Sequence, residues 1–484
     1  MATGGAAGGL TMALHAELTE EIRDEIPGPH VAAFFDLDQT LLAGFSATAF
    51  FRERLLSGRM APRELVASVR AALSFELGRT GFSGLMSATT AAFRGMSEAS
   101  LEEIGQEVFE KHLATEIYPE SRALVDAHRQ AGHTVAIVSS ATRYQADPLA
   151  RDVGIEHVLC TQLEVTDGVF TGRVRSPTCY GEGKAIAARE FAADHGVDVG
   201  TSYFYTDSHE DLPLLEAVGK PRPLNPNRQL AQLAKERGWP VRRFTSRGAP
   251  TAEDLVRTAL VYGSVVPSVS AGLIAGVVNR SRREGVNIAG SLWGDLAASL
   301  AGVDMRVEGE ENLWSRRPAV FIFNHQSGID AVLMAKLVRR DMTAVSKQEV
   351  RHNPIFGPIF RAAGIVFIDR GDPVKAIRAL EPAVRALREG LSIVIAPEGT
   401  RSSTPRLGRF KKGAFHMAMQ AGVPIVPVVF RNALDALPKH GLVVRPATVE
   451  AVVLPPVETS TWTRATLDAE IEAIRDRYLE VLAR

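Results

Sequence analysis

Phe34-Phe35-Asp36-Leu37-Asp38-Gln39-Thr40-Leu41 carries an apolar run begun at Val31 into two acids spaced two residues apart. A short apolar run without polar alternation predicts a strand covered on both faces. Acids just beyond its carboxyl end predict a reaction centre, because ligands collect at that edge of a parallel sheet. Runs of the same kind at Thr134–Val138 and Ser202–Tyr205 are separated by longer amphipathic segments. Together they predict an α/β, Rossmann-like parallel sheet covered by helices. From Phe45 to about Arg122 helical periodicity replaces the alternation, which predicts an inserted helical cap. Residues 1–30 read as a tail of small residues followed by an acidic helix, Glu17 to Glu25.

A carboxylate at the end of such a strand can attack phosphorus, and a second acid one turn away can move protons. Paired carboxylates also suit Mg²⁺, which prefers oxygen ligands. A loop turn with solvated acids would read the same, so the rest of the chain decides. Val135 to Ser139 ends another strand on a hydroxyl, and Glu182-Gly183-Lys184 opens a helix with an ammonium. Tyr203-Phe204-Tyr205-Thr206-Asp207-Ser208-His209-Glu210-Asp211 ends a third strand on further acids. These four segments resemble the haloacid-dehalogenase superfamily, in the branch with a helical cap after the first motif, over residues 31–244. The resemblance implies Asp36 as nucleophile, Asp38 as general acid/base, and Ser139 and Lys184 as holders of the phosphoryl group. It implies Asp36, Asp38 and Asp207 around Mg²⁺, with Asp211 in support; His209 reads as a solvated loop residue. Phosphoserine phosphatases, relatives in that superfamily, carry a glutamate soon after the first motif to hold an ammonium. Here Leu42 to Phe50 contains no acid before Glu53. That apolar approach suits a lipid or other bulky phosphate monoester, with phosphoserine hydrolysis or an idle regulatory module as the alternatives.

A second alternating region begins near Arg306, with apolar runs at Ala319–Phe323, Gly364–Ile368, Ser392–Ala396 and Val423–Phe430 and a closing charged helix from Leu467. His325 and Asp330 stand five apart after the first of these runs, a spacing that works if His325 occupies a strand-to-helix turn and Asp330 the first helical turn. An imidazole oriented by a carboxylate can take a proton from an alcohol. Lys347, then Phe367-Ile368-Asp369-Arg370, then Pro397-Glu398-Gly399-Thr400-Arg401-Ser402, then Val423 to Val428 follow in order. These blocks resemble the glycerophospholipid acyltransferases, specifically 1-acylglycerol-3-phosphate (lysophosphatidate) acyltransferases. The resemblance implies a second α/β domain over residues 305–484, with His325 as general base and Asp330 orienting it. Lys347, Arg370 and Arg401, with Glu398, Gly399 and Thr400 shaping the loop, would bind the glycerol phosphate. The acyl donor would be acyl-CoA or an acyl carrier protein thioester.

Between the two regions, Thr258–Asn279 holds no formal charge and is long enough to cross ~30 Å of hydrocarbon as a helix. Arg280, Arg282 and Arg283 follow, then a second mostly apolar stretch, Ile288–Val303. A true single span would put the two centres on opposite sides of a membrane. Residues 245–304 are therefore expected to form a helical hairpin dipping into one leaflet from the cytoplasmic face, its basic turn touching headgroups. A buried helical linker is the competing reading.

The composition agrees with this organisation. At 484 residues the chain exceeds one core, and 45% hydrophobic with 23% charged residues excludes extended disorder. Lys+Arg 55 against Asp+Glu 56 leaves a net charge of -1, which argues against nucleic acid as the main partner. Two cysteines, Cys160 and Cys179, are too few for a disulfide scaffold or a structural zinc site. The first thirty residues lack a basic-then-apolar leader, so the domains are expected to face the cytosol. Oligomeric state leaves no trace in the sequence.

Overall fold

The computed structural model describes residues 19–58, 81–347, 351–352, 364–368 and 380–483, with isolated positions between 60 and 74 and at 357 and 361. The chain divides into two compact units between Ala249 and Pro250.

The strands of the first unit are β1 (Ala32–Phe35), β2 (Thr134–Thr142), β3 (His157–Thr161), β4 (Leu163–Thr166), β5 (Val169–Val174), β6 (Tyr203–Thr206) and β7 (Lys220–Pro223). Five of them form a parallel sheet in the order β3-β2-β1-β6-β7. Alternate residues of β1 serve opposite layers. Ala32 and Phe34 pack with Ala185, Ala188 and Phe191 of the helix Glu182–His195, while Ala33 and Phe35 join Leu124, Val125 and Leu149 on the other face. Full burial of a side chain such as Phe34 contributes about 1.5–3 kcal/mol, which is why these runs are dominated by apolar residues.

The inserted cap is helical as expected, with helices at Ser46–Leu56, Phe82–Thr90 and Glu98–Val108. It ends earlier than Arg122, because the helix Pro119–Gln130 lays Leu124 and Val125 onto the sheet. The two chain crossings into the cap pair with each other, Ala43 N–H donating to the Glu116 carbonyl (2.9 Å) and Tyr118 N–H to the Leu41 carbonyl (3.0 Å). A hairpin from far along the chain, β4–β5, completes the cap: Phe170 exchanges backbone hydrogen bonds with Gly95 and Met96, each 3.0 Å.

The second unit holds β8 (Val303–Glu308), β9 (Val320–Phe323), β10 (Met342–Lys347), β11 (Val366–Ile368), β12 (Ser392–Ile395), β13 (Ile425–Phe430) and β14 (Ala447–Val453). Their order is β11-β10-β12-β9-β13-β14-β8, parallel throughout except where β13 meets β14. The charged helix Leu467–Leu482 closes one face, its Tyr478 hydroxyl donating to the Ile322 carbonyl at 2.8 Å.

Three helices precede β8: Ala252–Gly263, Val265–Val278 and Arg282–Ala301. The last two form a hairpin. A Cβ at Gly272 would lie 2.5 Å from the Gly285 carbonyl oxygen, so the backbones approach as closely as they do because neither helix carries a side chain there. The helix Arg282–Ala301 buries Ala297, Ala298 and Ala301 in the core of the second unit, whereas Leu273, Ile274, Val277 and Val278 of its partner are exposed, Val277 at 78%. The stretch Ala252–Val278 is one helix long and apolar enough to cross a membrane, with mean hydropathy 1.7 and 22% of its most apolar window buried. The turn differs from expectation. Arg283 donates to Asp341 Oδ1 (2.6 Å) and to the Gly390 carbonyl (2.9 Å), just ahead of β10 and β12, so this arginine is spent on the domain itself.

Candidate active sites

In the first unit the strand ends bring together a charged cluster. Asp36 follows β1, its N–H bonded to the Tyr205 carbonyl at 2.9 Å. Its Oδ1 receives the Leu37 N–H (2.7 Å) and Lys184 Nζ (3.0 Å), and among the described residues no hydrogen bond reaches Oδ2. Lys184 enters from the first turn of its helix, is 2% exposed, and also holds Asp211 Oδ2 at 2.7 Å. Thr206 Oγ1 donates to that same oxygen at 2.5 Å. Ser139 is buried on β2, its Oγ accepting the Ala141 N–H at 3.3 Å. Asp207 follows β6.

Burial raises the Asp36 carboxyl above its ordinary value, opposed by the Lys184 ammonium. Asp38 is pushed up to about 7, first by burial, with the Asp36 charge adding to it. Asp207 is pushed up to about 8, again by burial and then by Asp36. A carboxyl that titrates near 7 is matched to proton transfer at neutral pH. The Asp36 charge therefore penalises ionisation of Asp207, and an oxygen-seeking cation held by the two would offset that penalty. The donor chemistry fits Mg²⁺ at this pair. Asp38 does not complete a three-sided cage: both of its oxygens are turned to Ser46, and among the described residues no three acid, histidine or cysteine side chains converge on a metal position.

At the cap, Phe50 is packed inside while Phe45 stands 59% exposed. Glu53 is 7% exposed and committed to Lys111 Nζ (2.9 Å) and His112 Nε2 (2.8 Å). His209 is part-exposed beside Asn227, away from the charged cluster's bonds.

In the second unit His325 and Asp330 take the expected places, one in the turn after β9 and one opening the helix Asp330–Val338. His325 Nδ1 lies 2.7 Å from Asp330 Oδ2, which also accepts the N–H groups of Gln326 (3.0 Å) and Ser327 (2.9 Å). Asp330 is fully buried, and burial raises its carboxyl above the ordinary value against those bonds. Oriented this way, Nδ1 carries the proton, and among the described residues no hydrogen bond takes the Nε2 lone pair.

Glu398 is not turned to an open site. Its Oε1 accepts the His325 N–H (2.7 Å) and its Oε2 the Gly408 N–H (2.8 Å), and burial raises its carboxyl. The Ser402 N–H donates to the His325 carbonyl at 2.7 Å, so the histidine backbone is clasped from both sides by the loop after β12. Gly399 takes a left-handed φ of +76°, with the Lys411 side chain filling the space where a Cβ would stand. Thr400 is exposed; Arg401 is half-buried, its Nη1 3.3 Å from the position of a Cβ on Gly328. Lys347 closes β10 at the same edge of the sheet, and Arg370 lies outside the described residues. Further along the chain, Lys412 pairs with Asp468 at 2.6 Å.

Sequence reasoning assigned no role to Ser46, Gln145, Asn324 or Ser402. Asn324 pairs both of its amide atoms with the Phe430 backbone at 2.7 Å, holding β9 to the end of β13. Asn324 sits directly before His325, a position that could have been weighed; Gln145 meets Ser46, and Ser402 meets His325, only across long stretches of chain.

A lysine-braced carboxylate cluster and a His–Asp pair, each at the carboxyl edge of its own parallel sheet, make this a two-centre enzyme. The chain belongs to the haloacid dehalogenase-like hydrolases through residues 33–216 and to the acyltransferases through residues 304–431, a phosphatase domain fused to a lysophosphatidate acyltransferase domain. Its first half is 35% identical over 245 residues to a probable phosphatase of Mycobacterium tuberculosis, covering 49% of this chain and 85% of that one. It is also 34% identical over 217 residues to a phosphoserine phosphatase of the same organism, covering 44% and 70%. The second half is 36% identical over 197 residues to the 1-acyl-sn-glycerol-3-phosphate acyltransferase of Limnanthes alba, covering 40% and 69%.

Proposed function

We propose a bifunctional phospholipid-synthesis enzyme working at the cytoplasmic face of a membrane. Residues 305–484 transfer an acyl group from an acyl thioester to 1-acylglycerol-3-phosphate, giving phosphatidate. Residues 31–244 hydrolyse a phosphomonoester, and 245–304 supply the membrane contact.

For acyl transfer, the free hydroxyl of the acceptor gives its proton to His325 Nε2 while its oxygen attacks the thioester carbonyl. The tetrahedral intermediate then expels the thiolate, which takes that proton from the imidazolium, while Asp330 stabilises the charged ring. Arg401 beside Gly328, Lys347 at the end of β10 and Arg370 receive the glycerol phosphate, and guanidinium groups suit it through paired N–H donors. The 2.7 Å His325–Asp330 contact, which leaves Nε2 free, carries this reading.

For hydrolysis, Asp36 Oδ2 attacks phosphorus, and the leaving oxygen takes a proton from Asp38. Water then attacks the aspartyl-phosphate, its proton passing to Asp38, and phosphate leaves with Asp36 regenerated. Mg²⁺ held by Asp36 and Asp207 would supply the charge that offsets anionic repulsion in this site. Lys184 and Ser139 hold the phosphoryl oxygens, and Asp211 fixes Lys184. A lipid phosphate is the favoured substrate because Glu53, the first acid after the nucleophile motif, is consumed by Lys111 and His112, while Phe45 is exposed. Phosphoserine would bring an ammonium that Glu53, already paired, is not free to meet.

The membrane contact rests on the exposed Leu273, Ile274, Val277 and Val278 face. A phosphatase panel of phosphoserine, lysophosphatidate, phosphatidate and phosphatidylglycerophosphate, with and without Mg²⁺, tests the substrate assignment. Preference for phosphoserine overturns it.

A further inference from the structure

The cap begins at a residue that also holds the proton-transfer acid. Ser46 is the first residue of the helix Ser46–Leu56, is fully buried, and its preceding residue Phe45 offers no side-chain cap. Asp38 does that work from outside the helix. Its Oδ1 accepts the Ser46 N–H at 2.8 Å and its Oδ2 the Ser46 hydroxyl at 3.2 Å. The Ser46 oxygen in turn accepts from Gln145 Nε2 at 3.2 Å. Gln145 is itself immobilised, its Oε1 accepting both the N–H and the hydroxyl of Thr142 at 2.9 Å each. Thr142 ends β2, the strand that carries Ser139. The hydrogen bonds thus run in one direction, Gln145 to Ser46 to Asp38, and link the strand bearing the phosphate-holding serine to the acid through the first turn of the cap.

We propose that Ser46 and Gln145 are positioning residues that aim the Asp38 carboxyl, so that proton delivery to the leaving group depends on the cap helix being seated. This rests on the phosphatase reading above. Neither side chain contacts the reacting atoms; each acts through Asp38.

Leaving-group chemistry separates aiming from general support of the fold. An alkyl phosphate needs a proton on its departing oxygen, whereas nitrophenolate leaves without one, and kcat/KM reports the steps up to departure. Ser46→Ala should lower kcat/KM on an alkyl phosphate about 10–100-fold, and on nitrophenyl phosphate by only about threefold. Ser46→Thr keeps the hydroxyl and should restore most of the alkyl activity. Gln145→Glu keeps the acceptor for Thr142 but loses the donor to Ser46, and should fall in the same direction without disturbing the helix start. It stands in should Ser46→Ala not fold. Equal losses on both esters, or no loss on either, overturn the proposal. A wild-type chain inactive on both esters overturns the phosphatase reading and this proposal with it, and Asp36→Asn run in parallel marks the background.

Discussion

The backbone N–H of His325 donates to Oε1 of Glu398 across 2.7 Å, joining the loop that follows β9 to the loop that follows β12. The other Glu398 oxygen takes the Gly408 N–H, so one buried carboxylate satisfies two backbone donors and sets where the imidazole stands. Glu398→Gln puts an amide N–H₂ against one of those donors. The expected result is a loss of about 1–3 kcal/mol in stability of the second unit. Acyl transfer should fall about tenfold in kcat, with KM for lysophosphatidate nearly unchanged. Urea denaturation and steady-state kinetics check this; a rise in KM alone would place Glu398 on the substrate instead.

The two centres belong to separate units and should fail separately. His325→Ala is expected to cost acyl transfer about 10²–10⁴-fold while phosphate release persists. Asp36→Asn removes the attacking charge, so phosphatase turnover should vanish while acyl transfer continues. Assaying both activities on each variant tests the assignment, and loss of both in either variant contradicts it.

Deleting the helical hairpin would be a poor test of membrane contact, because Ala297, Ala298 and Ala301 belong to the second unit's core. Replacing Leu273, Ile274 and Val277 together by Asn alters only exposed positions. Wild-type chain should co-sediment with vesicles containing anionic lipid at both low and high salt, and the triple variant should stay in solution. Salt-resistant binding identifies apolar insertion, since charge attraction alone is screened within about 10 Å at 0.1 M salt. Wild-type protein that never sediments would favour the buried-linker alternative.

His128 and His133 form a buried chain whose direction is forced. The His133 Nε2–H donates to the Ile26 carbonyl at 3.2 Å, so its Nδ1 must accept from His128 Nδ1 at 2.8 Å, and His128 Nε2 accepts the Tyr205 hydroxyl at 2.9 Å. Both imidazoles are held below their ordinary range, first by burial; the His133, Lys220 and Arg222 charges lower His128 further, and Lys220 also lowers His133. A folded value below the unfolded value of about 6.5 means protons bind the unfolded chain preferentially in acid. The stability these residues contribute is present above about pH 6.5 and declines as pH falls below it. Asp38 and Asp207, raised into the same range, act in the opposite direction, so the readout is a difference: between pH 7.5 and 5 the urea midpoint of the wild type should fall relative to that of His128→Gln. A difference that does not change with pH would remove His128 as its source.

Much was legible in the chain alone. The apolar runs ending at Phe35, Val138, Tyr205 and Phe323 read as strands because a strand covered on both faces is a near-continuous apolar run. The acids, lysine and histidine just beyond them read as chemistry because their spacing puts them at one sheet edge. Local order thus determined the two α/β folds, the helical cap and the pairing of His325 with Asp330, five residues apart. Contacts between residues distant in sequence could not be read this way. Glu398 read as shaping its loop, but its partners, the His325 and Gly408 N–H groups, could not be read, and neither could the bond from Arg283 to Asp341. Gln145 meets Ser46 across 99 positions, and the β4–β5 hairpin joins a cap that lies more than fifty residues earlier. Hydrophobic periodicity records which side of an element is buried, whereas the partner of a buried polar atom is chosen by whichever donor the packed sheets and helices bring within about 3 Å. That choice exists only in the tertiary structure.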